Sequence, residues 1–565
     1  MKIVRNILTV CVASSLLGAC NVDRFPFDKF SSEQLESDPD YVNQAANGMY
    51  AYLKGEGQSS CWINNAHRIA EYPSDNVALS GTTTDDLYYM YNYQRIDNGG
   101  RNNDFWLRCY RANYSANKLI STTEEGVSTE NDHRIGEAYF VRAWMHFALV
   151  NAYGKQYTID KNALGVPVKI TSDVDDLPAR STVAQVYEQI IKDLNKAATL
   201  MAGMDKEPYF ANQNAAYACL SRVYLYMGDN ENALKYANLV IDTHKQELLT
   251  ADQFRKMNTL TPENNPEAIF SIRYITDLDE GDQDNGVGGF YAEINSYGWG
   301  EMYASRTILD LANYFPDDAR QAFFLPKYTD ESKSDKEGLW VRHELSDGAL
   351  CPKYRSGVYS VKDGKEILTT KEGENERVIT LSKRNTPTGV EQYYFNEGQG
   401  DTIVYVDKVV DKRNGYPKIY ITKCSLQDNK IHSWSPTIFR LAEMYLNKAE
   451  ALCKLNRKSE AITALNDLRQ KRGIPDYVDG DVVLGRGRTD LLDVILDERR
   501  LELAYEGHRT YDVFRNNKVL NRDYPGTHAV NSSQRLKINA TDKDAVQLLP
   551  LSQLNVQGNL VQNEK

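Results

Sequence analysis

The chain has 565 residues, a formal net charge of −12 and a hydrophobic content of 41%. This acidic balance argues against a nucleic-acid partner, because nucleic-acid-binding surfaces cluster Lys and Arg. The length allows about two to four domains, and the mean hydropathy of −0.56 predicts a water-exposed body. The chain contains 37 Tyr and 6 Trp. Both residue types combine an apolar ring with a polar tip, so they suit surfaces that are partly exposed to water.

The N-terminus has the pattern of a secretory signal. Two basic residues precede an apolar run over residues 7–17, which is too short to span a bilayer. The run leads into Leu-Gly-Ala-Cys20, which resembles a bacterial lipobox, in which the Cys becomes the lipid-carrying N-terminus. We predict a signal peptide over residues 1–19 and membrane attachment through lipid on Cys20. An ordinary secretory signal is the alternative.

Two later segments repeat one pattern. Residues 213–243 and 441–471 each predict two helices joined by a tight turn. Aligning Ala233 with Ala461 superposes small residues at the positions where the paired helices cross. The spacing is that of a degenerate tetratricopeptide repeat.

A third copy is predicted at residues 136–153, with its second helix at 182–200 and Ser181 as the N-cap. Further helices are predicted at Asp38–Leu53, Asp104–Ser121 and Thr489–Tyr505. Stacked pairs bury the apolar faces that one pair leaves exposed. The fold class is therefore mostly α, an α/α superhelix of degenerate tetratricopeptide repeats.

Two stretches lack this helical pattern. Residues 245–436 are rich in Gly, Asp, Asn and Tyr, and the runs 402–406 and 418–422 predict small β-hairpins rather than a large sheet. Residues 55–103 form a second irregular stretch. Long irregular segments on a rigid frame commonly carry binding function.

Three motifs identify a family resemblance. They are Arg142-Ala143-Trp144 with Tyr153-Gly154, the run 440–446 (Arg-Leu-Ala-Glu-Met-Tyr-Leu) with 449–451, and the run 498–509 (Glu-Arg-Arg-Leu-Glu-Leu-Ala-Tyr-Glu-Gly-His-Arg) with Asp512 and Arg515. Together with the lipobox and the long insertion, they resemble the SusD/RagB family across the whole mature chain. The last motif is the most family-specific.

The resemblance implies a surface lipoprotein of Bacteroidetes-type bacteria. Family members bind nutrient oligomers, usually glycans and in some cases peptides, and cap a SusC-like TonB-dependent outer-membrane barrel as its lid. The resemblance also implies a single SusD-like domain over residues 20–565. The helical scaffold would occupy about 38–54, 104–245 and 437–515, and the ligand-side insertion about 245–436.

The charged residues of the last motif allow two interpretations. Signs alternate at helical spacing among Glu498, Arg499, Arg500, Glu502, Glu506 and Arg509. An ionic substrate site is one interpretation. A salt-bridge network that locks the last helix to the repeats is the other, and we favour it.

Aromatic residues beside amides and carboxylates on projecting loops are the best candidates for sugar contact, because sugar rings stack their C–H faces on aromatic rings. The predicted ligand-binding residues are Trp62, Tyr88, Tyr89, Tyr91, Tyr291, Asn295, Tyr297 and Trp299. Trp299 is favoured because glycines flank it, and Trp340 is a further candidate. For the tyrosines, a half-buried structural role is the alternative. Trp106, Trp144 and Trp434 are predicted to be core residues.

Signals for chemistry are absent. Asp282, Asp284 and Glu293 match three positions of a calcium loop, but Gly286 and Val287 break the pattern. No nucleophile, zinc or phosphate-loop motif occurs. We predict no enzyme activity, no metal and no cofactor. A peptide-binding family member, a surface glycoside hydrolase and a purely structural assembly protein remain alternatives to glycan capture.

Overall fold

The computed structural model describes residue 38 and residues 40–55, 61–275, 286–373, 375–398 and 400–565. The predicted signal peptide, Cys20 and the acidic stretch 277–284 lie outside the described residues. Within the described ranges, no helix combines the length and the apolar composition needed to cross a membrane.

The described part contains 17 α-helices and 19 strands. The helices are α1 Tyr41–Lys54, α2 Trp62–Ala70, α3 Leu87–Tyr91, α4 Gly100–Thr122, α5 Thr129–Tyr153, α6 Tyr157–Asp160, α7 Val183–Leu200, α8 Gln213–Met227, α9 Asn230–Thr243, α10 Ala251–Phe254, α11 Val287–Tyr291, α12 Arg306–Ala312, α13 Leu441–Lys454, α14 Lys458–Lys471, α15 Leu491–Glu502, α16 Arg509–Arg515 and α17 Leu551–Val556. The strands are β1 Val77–Leu79, β2 Leu164–Pro167, β3 Arg180–Thr182, β4 Ala268–Ser271, β5 Met302–Ala304, β6 Phe324–Pro326, β7 Lys336–Ser346, β8 Ala349–Lys362, β9 Lys365–Glu372, β10 Asn375–Thr380, β11 Ser382–Asn385, β12 Glu391–Asn396, β13 Asp401–Lys408, β14 Lys412–Arg413, β15 Tyr416–Pro417, β16 Ile419–Ile421, β17 Thr437–Arg440, β18 Leu520–Asn521 and β19 Lys537–Ile538.

Two helical hairpins lie where the sequence predicts them. α8 and α9 pack together across a short turn, in which Gly228 has a φ of 76° that favours glycine. α13 and α14 pair in the same way, and α9 packs against α13, so the hairpins stack. Ala233 and Ala461 are fully buried. Ser221 Oγ donates to the Ala233 carbonyl at 3.0 Å, which shows how closely the paired helices approach.

The predicted third pair also forms, because α5 packs against α7. Its N-cap is Thr182, so the prediction of Ser181 is wrong by one residue. Thr182 Oγ1 accepts from the Gln185 backbone N at 3.3 Å, and Gln185 Oε1 accepts from the Thr182 backbone N at 2.9 Å. This reciprocal capping box requires Gln three residues after the cap, which selects Thr182.

The tryptophans predicted to be core residues lie in or against the apolar interior. Trp106 and Trp144 are buried in the main core, which α4, α5 and α7 help to form. Trp434 is partly buried and packs against two core clusters. These residues therefore hold the helical body together and are not free for a ligand.

The long insertion contains one large sheet. Strands β7 to β13 form a seven-stranded antiparallel sheet in the order β10-β9-β8-β7-β13-β12-β11. The prediction of small hairpins rather than a large sheet is therefore wrong. Charged residues and serines fill many outward positions of these strands. An example is β7, with the sequence Lys-Glu-Gly-Leu-Trp-Val-Arg-His-Glu-Leu-Ser. Few runs of β-branched residues therefore indicate these strands in the sequence.

The sheet curls on itself. Leu381 alone separates β10 from β11, so the bent segment 375–385 pairs with β9 through its first half and with β12 through its second half. Buried residues that include Trp340, Leu368 and Phe395 form a separate small core inside the curl. We call residues 336–408 the curled sheet.

The motif at 498–509 forms buried ion pairs with other elements. Glu502 Oε1 accepts from Arg440 at 2.6 Å and from Arg472 at 2.9 Å, and both arginines also pair with Glu267. Arg440 lies at the start of α13 and Arg472 at the end of α14. The network therefore locks α15 to the second hairpin, as the favoured interpretation predicts.

Glu498 shows how this network balances desolvation. Burial raises the pKa of its carboxyl, but Arg320, Arg469 and Arg486 outweigh that effect and lower the pKa to about 2. Arg320 and Arg469 contact it at 2.6 and 2.5 Å. The stabilisation from this carboxylate is present above its ordinary pKa of 4.5 and is lost as the pH falls toward 2.

Candidate functional site

The structure separates the predicted ligand residues by exposure. The buried ones, with their exposed fractions, are Trp62 at 6%, Tyr91 at 0% and Tyr291 at 0%. The accessible ones are Tyr88, which is half-buried, Asn295, which is exposed, and Tyr89, Tyr297 and Trp299, with exposed fractions of 40%, 58% and 54%. Only the residues of the second group are therefore accessible to a sugar ring.

The predicted placement of Trp62 on a projecting loop is wrong. Its indole lies in α2, with its ring centroid 4.7 Å from that of Trp144, and its Nε1 donates to Cys109 Sγ at 3.3 Å. The stretch 55–103 reads as irregular because polar residues interrupt its apolar positions. It nevertheless contains α2 and α3, and α2 places Trp62 in the main core.

Tyr91 and Tyr291 are also core residues. Tyr91 Oη donates to His528 Nδ1 at 2.7 Å, whereas the Tyr291 ring packs perpendicular to Tyr72 with centroids 5.7 Å apart. Trp340, the further candidate, is enclosed within the curled sheet against Phe395. None of the three can stack on a ligand without unfolding its surroundings.

Two of the accessible aromatics, Tyr297 and Trp299, lie at one tight turn. Ile294 and Tyr297 form an antiparallel bridge, and the two residues between them, Asn295 and Ser296, have φ values of 52° and 68°. Two successive left-handed residues define a type I′ turn, in which Asn is favoured. The turn directs Tyr297 outward, with Trp299 two residues further along. We call residues 292–300 the Trp299 turn.

Position 298 requires glycine because neighbouring atoms lie too close to it for a side chain. Its φ is 89°, and a Cβ there would lie 2.3 Å from the Ala292 carbonyl oxygen and 2.5 Å from His432 Nε2. The Trp299 and Gly300 backbone N–H groups both donate to the Gly289 carbonyl, at 2.8 and 2.9 Å. The chain is thus drawn tightly against α11, and Trp299 is left exposed on a well-braced backbone.

Two side chains from distant parts of the chain fix the turn. His432 Nε2 donates to the Tyr297 carbonyl at 2.9 Å, while its Nδ1 faces Ser425 Oγ at 3.2 Å. Arg413 donates to the Trp299 carbonyl at 3.0 Å and pairs with Glu301 at 3.2 Å. Preorganisation of this kind lowers the entropic cost of ligand binding.

Residues 77–80 also adjoin this turn. β1 pairs with β5, and the Ser80 backbone N donates to the Glu301 carbonyl at 3.1 Å. Further along, Tyr88 and Tyr89 on α3 have perpendicular rings with centroids 5.6 Å apart, and Tyr89 is the more exposed of the pair. The two predicted loops therefore meet through β1 and β5, but the second aromatic surface is Tyr88–Tyr89 and not Trp62.

Sequence reasoning missed His432 and Arg413. A lone His in a loop gives no signal, because its partner is a backbone carbonyl far away in the sequence. The dipeptide Asn414-Gly415 after Arg413 is a strong hairpin signal and could have indicated that a rigid element lies there.

The described residues contain no group of three or more His, Cys, Asp or Glu that could hold a metal ion. Glu71 is the carboxyl that most resembles a catalytic acid, because burial raises its pKa to about 7. It is fully buried, however, and accepts hydrogen bonds from Asn76 Nδ2 at 3.0 Å and the Gly507 backbone N at 2.9 Å. It joins α2 to the last motif and is out of reach of a substrate.

Two family models match the chain. A model described as starch-binding and associating with the outer membrane matches residues 28–225. A SusD family model matches residues 266–565, which is more than half of the chain.

Individual relatives agree with these models. SusD-like proteins P38 and P2 of Formosa agariphila are 25% and 23% identical to this chain, cover 80% and 89% of it, and are themselves covered to 79% and 88%. A SusD superfamily structure from Bacteroides thetaiotaomicron superposes with a TM-score of 0.69 at 24% identity, covering 93% of this chain and 99% of that one. A SusD-like carbohydrate binding protein from Bacteroides vulgatus gives a TM-score of 0.60 at 18% identity, with coverages of 92% and 96%.

Proposed function

This chain belongs to the SusD family, and from that premise we propose that it is a cell-surface glycan-binding protein. It captures oligosaccharides and passes them to a SusC-like TonB-dependent outer-membrane transporter, for which it acts as the lid. It works by binding and not by catalysis. The observation that carries this proposal is the pair of exposed aromatics, Tyr297 and Trp299, on a turn that the rest of the fold braces.

The chemistry of the Trp299 turn suits a sugar. An exposed indole and a phenol ring offer apolar faces for pyranose C–H groups, and the Asn295 amide and the Tyr297 hydroxyl offer donors and acceptors for the ring hydroxyls. Exposed indoles cost solvation free energy, so their presence on a rigid turn favours a ligand role. Tyr88 and Tyr89 supply a second aromatic pair beside the same β1–β5 junction.

The division of labour within the chain follows from this proposal. The three helix pairs serve as a degenerate tetratricopeptide scaffold over about 38–54, 104–245 and 437–515, and the segment of about 245–436 serves as the ligand-side insertion. The buried ion pairs around Glu502 support this division, because they tie α15 and the start of the insertion, through Glu267, to the second hairpin.

Anchoring is a separate part of the proposal. Lipid on Cys20 holds the protein at the outer membrane, and more than one acyl chain gives stable attachment. Cys20→Ala should move the protein from the membrane fraction to the soluble fraction in cells that lack the partner transporter. Continued membrane association of that variant would contradict lipid anchoring.

The binding proposal is tested by titration calorimetry. The purified mature chain is screened against polysaccharides and peptides, and the best ligand is then titrated into the parent, Trp299→Ala and Tyr297→Ala. We expect at least a tenfold loss of affinity for Trp299→Ala, or about 1.4 kcal/mol. Tyr114→Ala is the matched control, since Tyr114 is 44% exposed on the helical body.

Each result has a defined meaning. Saturable glycan binding that Trp299→Ala weakens and Tyr114→Ala preserves supports the proposal. Equal affinities for the parent and Trp299→Ala would contradict the site, and selective binding of peptides would replace glycan capture by peptide capture. Cleavage of a bound glycan would contradict a binding-only role.

A further inference from the structure

A cleft of about 850 Å³ lies between the outer face of the curled sheet and the hairpin β14–β15. Glu337 stands opposite Val358, and Val358 opposite Thr369, along its floor. Successive strand residues face opposite sides, and Gly338 and Leu368 point into the curl, so these three side chains point outward. The volume is within the range of about 300–1,000 Å³ that is typical of ligand sites.

The hairpin that forms the opposite wall is rigidly held. Asn414 and Gly415 at its tip have φ values of 53° and 84°, which is the type I′ geometry of a tight hairpin. Asn414 Nδ2 donates to the Ser80 carbonyl at 3.0 Å, and Lys418 pairs with Asp411 at 2.7 Å at its base. The cleft is therefore preformed and does not depend on a mobile flap.

One strand of this hairpin separates the cleft from the Trp299 turn. Lys412 and Arg413 are consecutive in β14, so their side chains leave opposite faces of the hairpin. Lys412 Nζ pairs with Glu337 on the cleft side. Arg413 donates to the Trp299 carbonyl at 3.0 Å on the other side. A chain of several sugar units crossing this narrow hairpin would meet both surfaces.

The cleft lining is polar and close to electrically balanced. Its ionisable and hydroxyl-bearing side chains on the outer face are Glu337, Glu376, Lys371 and Lys412, and Tyr354, Ser356 and Thr369. Glu337 neutralises Lys412, and Glu376 stands opposite Lys371. Donors and acceptors of both kinds suit an uncharged polyol, whereas an anionic ligand needs a net excess of cations.

We propose that this cleft is a second binding site, which takes the distal units of the same neutral oligosaccharide whose first units stack on Trp299. The inference rests on the proposed function and extends it to a ligand long enough to cross the hairpin. Val358 on the floor of the cleft is accessible from solvent, with an exposed fraction of 65%. The two surfaces together discriminate ligands by length.

Blocking the cleft after folding tests the proposal. Val358→Cys is purified as the full mature chain and alkylated with a bulky maleimide, and the same protein before alkylation is the reference. Leu345→Cys, treated identically, is the matched control, because Leu345 is 75% exposed elsewhere on the same sheet. The parent is also treated, since it contains the partly buried Cys453. Calorimetry then uses oligosaccharides of about two, four and eight units, maltooligosaccharides first.

We expect the parent's affinity to rise with oligosaccharide length. Alkylated Val358→Cys should bind the longest oligosaccharide at least fivefold more weakly and the shortest one normally, whereas Trp299→Ala should weaken both. An unchanged affinity of alkylated Val358→Cys for the longest oligosaccharide, with Trp299→Ala still impaired, would overturn the second site alone. Equal losses for short and long ligands would also overturn it. Absence of any glycan binding by the parent would overturn both proposals.

Discussion

Two tryptophans in similar sequence contexts end in opposite environments. Trp62 precedes Asn64 and Asn65 and follows Gly55, and Trp299 follows Asn295 and Gly298, so composition alone ranks both as loop aromatics. In the fold, Trp62 lies in the helical core against Trp144, and Trp299 is 54% exposed. In this pair, the main core covers Trp62, and the insertion presents Trp299 to solvent.

The difference lies in backbone geometry. α2 can place one face against α4 and α5 because no residue within it needs a positive φ, so its apolar positions share one side. The Trp299 turn contains four residues with positive φ, namely Asn295, Ser296, Gly298 and Gly300. Such a backbone cannot continue as a helix, and Tyr297 and Trp299 are exposed on it.

The largest expected effect concerns the ion network of the helical body. Glu502→Ala leaves Arg440 and Arg472 buried without one of their acceptors, which should cost about 3–5 kcal/mol in the free energy of unfolding. Chemical denaturation measures this loss. Glu460→Ala, which removes a solvent-exposed partner of Arg457, is the control and should unfold like the parent. Equal stabilities of the two variants would contradict a structural role for the network.

The two tryptophans can be compared directly by truncation. Trp62→Ala removes a core indole and should cost about 3–5 kcal/mol of stability. Trp299→Ala should cost much less, because Trp299 is 54% exposed. Thermal melts of both variants check this, and a similar loss for the two would show that the exposure difference is wrong.

The raised pKa of Glu71, which joins α2 to the last motif, predicts that the free energy of unfolding depends on pH. Its pKa is about 7 in the fold against an ordinary value of 4.5, so the folded state binds its proton more tightly. The associated stability is fully present below pH 4.5 and is lost as the pH rises through 7. The loss is at most about 3–4 kcal/mol, since the two pKa values differ by about 2.5 and one pKa unit is about 1.4 kcal/mol.

Glu71→Gln imitates the protonated carboxyl and should remove this dependence. Melting temperatures of the parent and the variant are compared from pH 5 to pH 8. The parent should lose stability relative to Glu71→Gln across that interval, and a constant difference would refute the raised pKa.

The smallest expected effect is at a helix crossing. Ala461 is fully buried where α14 meets α13, and Ala461→Leu should overpack this contact at a cost of about 1–3 kcal/mol. Ala51→Leu, on the exposed face of α1, is the control and should be near neutral. A melting temperature equal to the parent's for Ala461→Leu would contradict the alignment of the two hairpins.

Much of the helical body could be predicted because its signals are local. The pairs 213–243 and 441–471 follow from apolar periodicity and turn residues within about 30 positions, and α8, α9, α13 and α14 match them. The curled sheet could not be predicted in this way. The full sheet forms only when β13 pairs with β7, which lies more than 60 positions earlier in the chain, and local composition does not encode that pairing.

The candidate site shows the same limit. Gly298 and Gly300 correctly marked Trp299 as exposed, because flanking glycines permit a turn without side-chain packing. Nothing near Trp62, Tyr91 or Tyr291 showed that other helices and strands would cover them, since burial depends on what packs against a residue. His432 and Arg413, which fix the turn, lie more than 100 positions from it.

The sequence by itself determined the helix pairs, the motif of alternating charges and the family resemblance, because periodicity, spacing and residue identity are properties of short segments. Only the tertiary structure decided which aromatics face water, which arginines meet Glu498 and Glu502, and that the insertion curls into a sheet beside the Trp299 turn. Each of these depends on contacts between residues far apart in the chain. Desolvation and pairing free energies are set by those contacts, and a local pattern does not contain them.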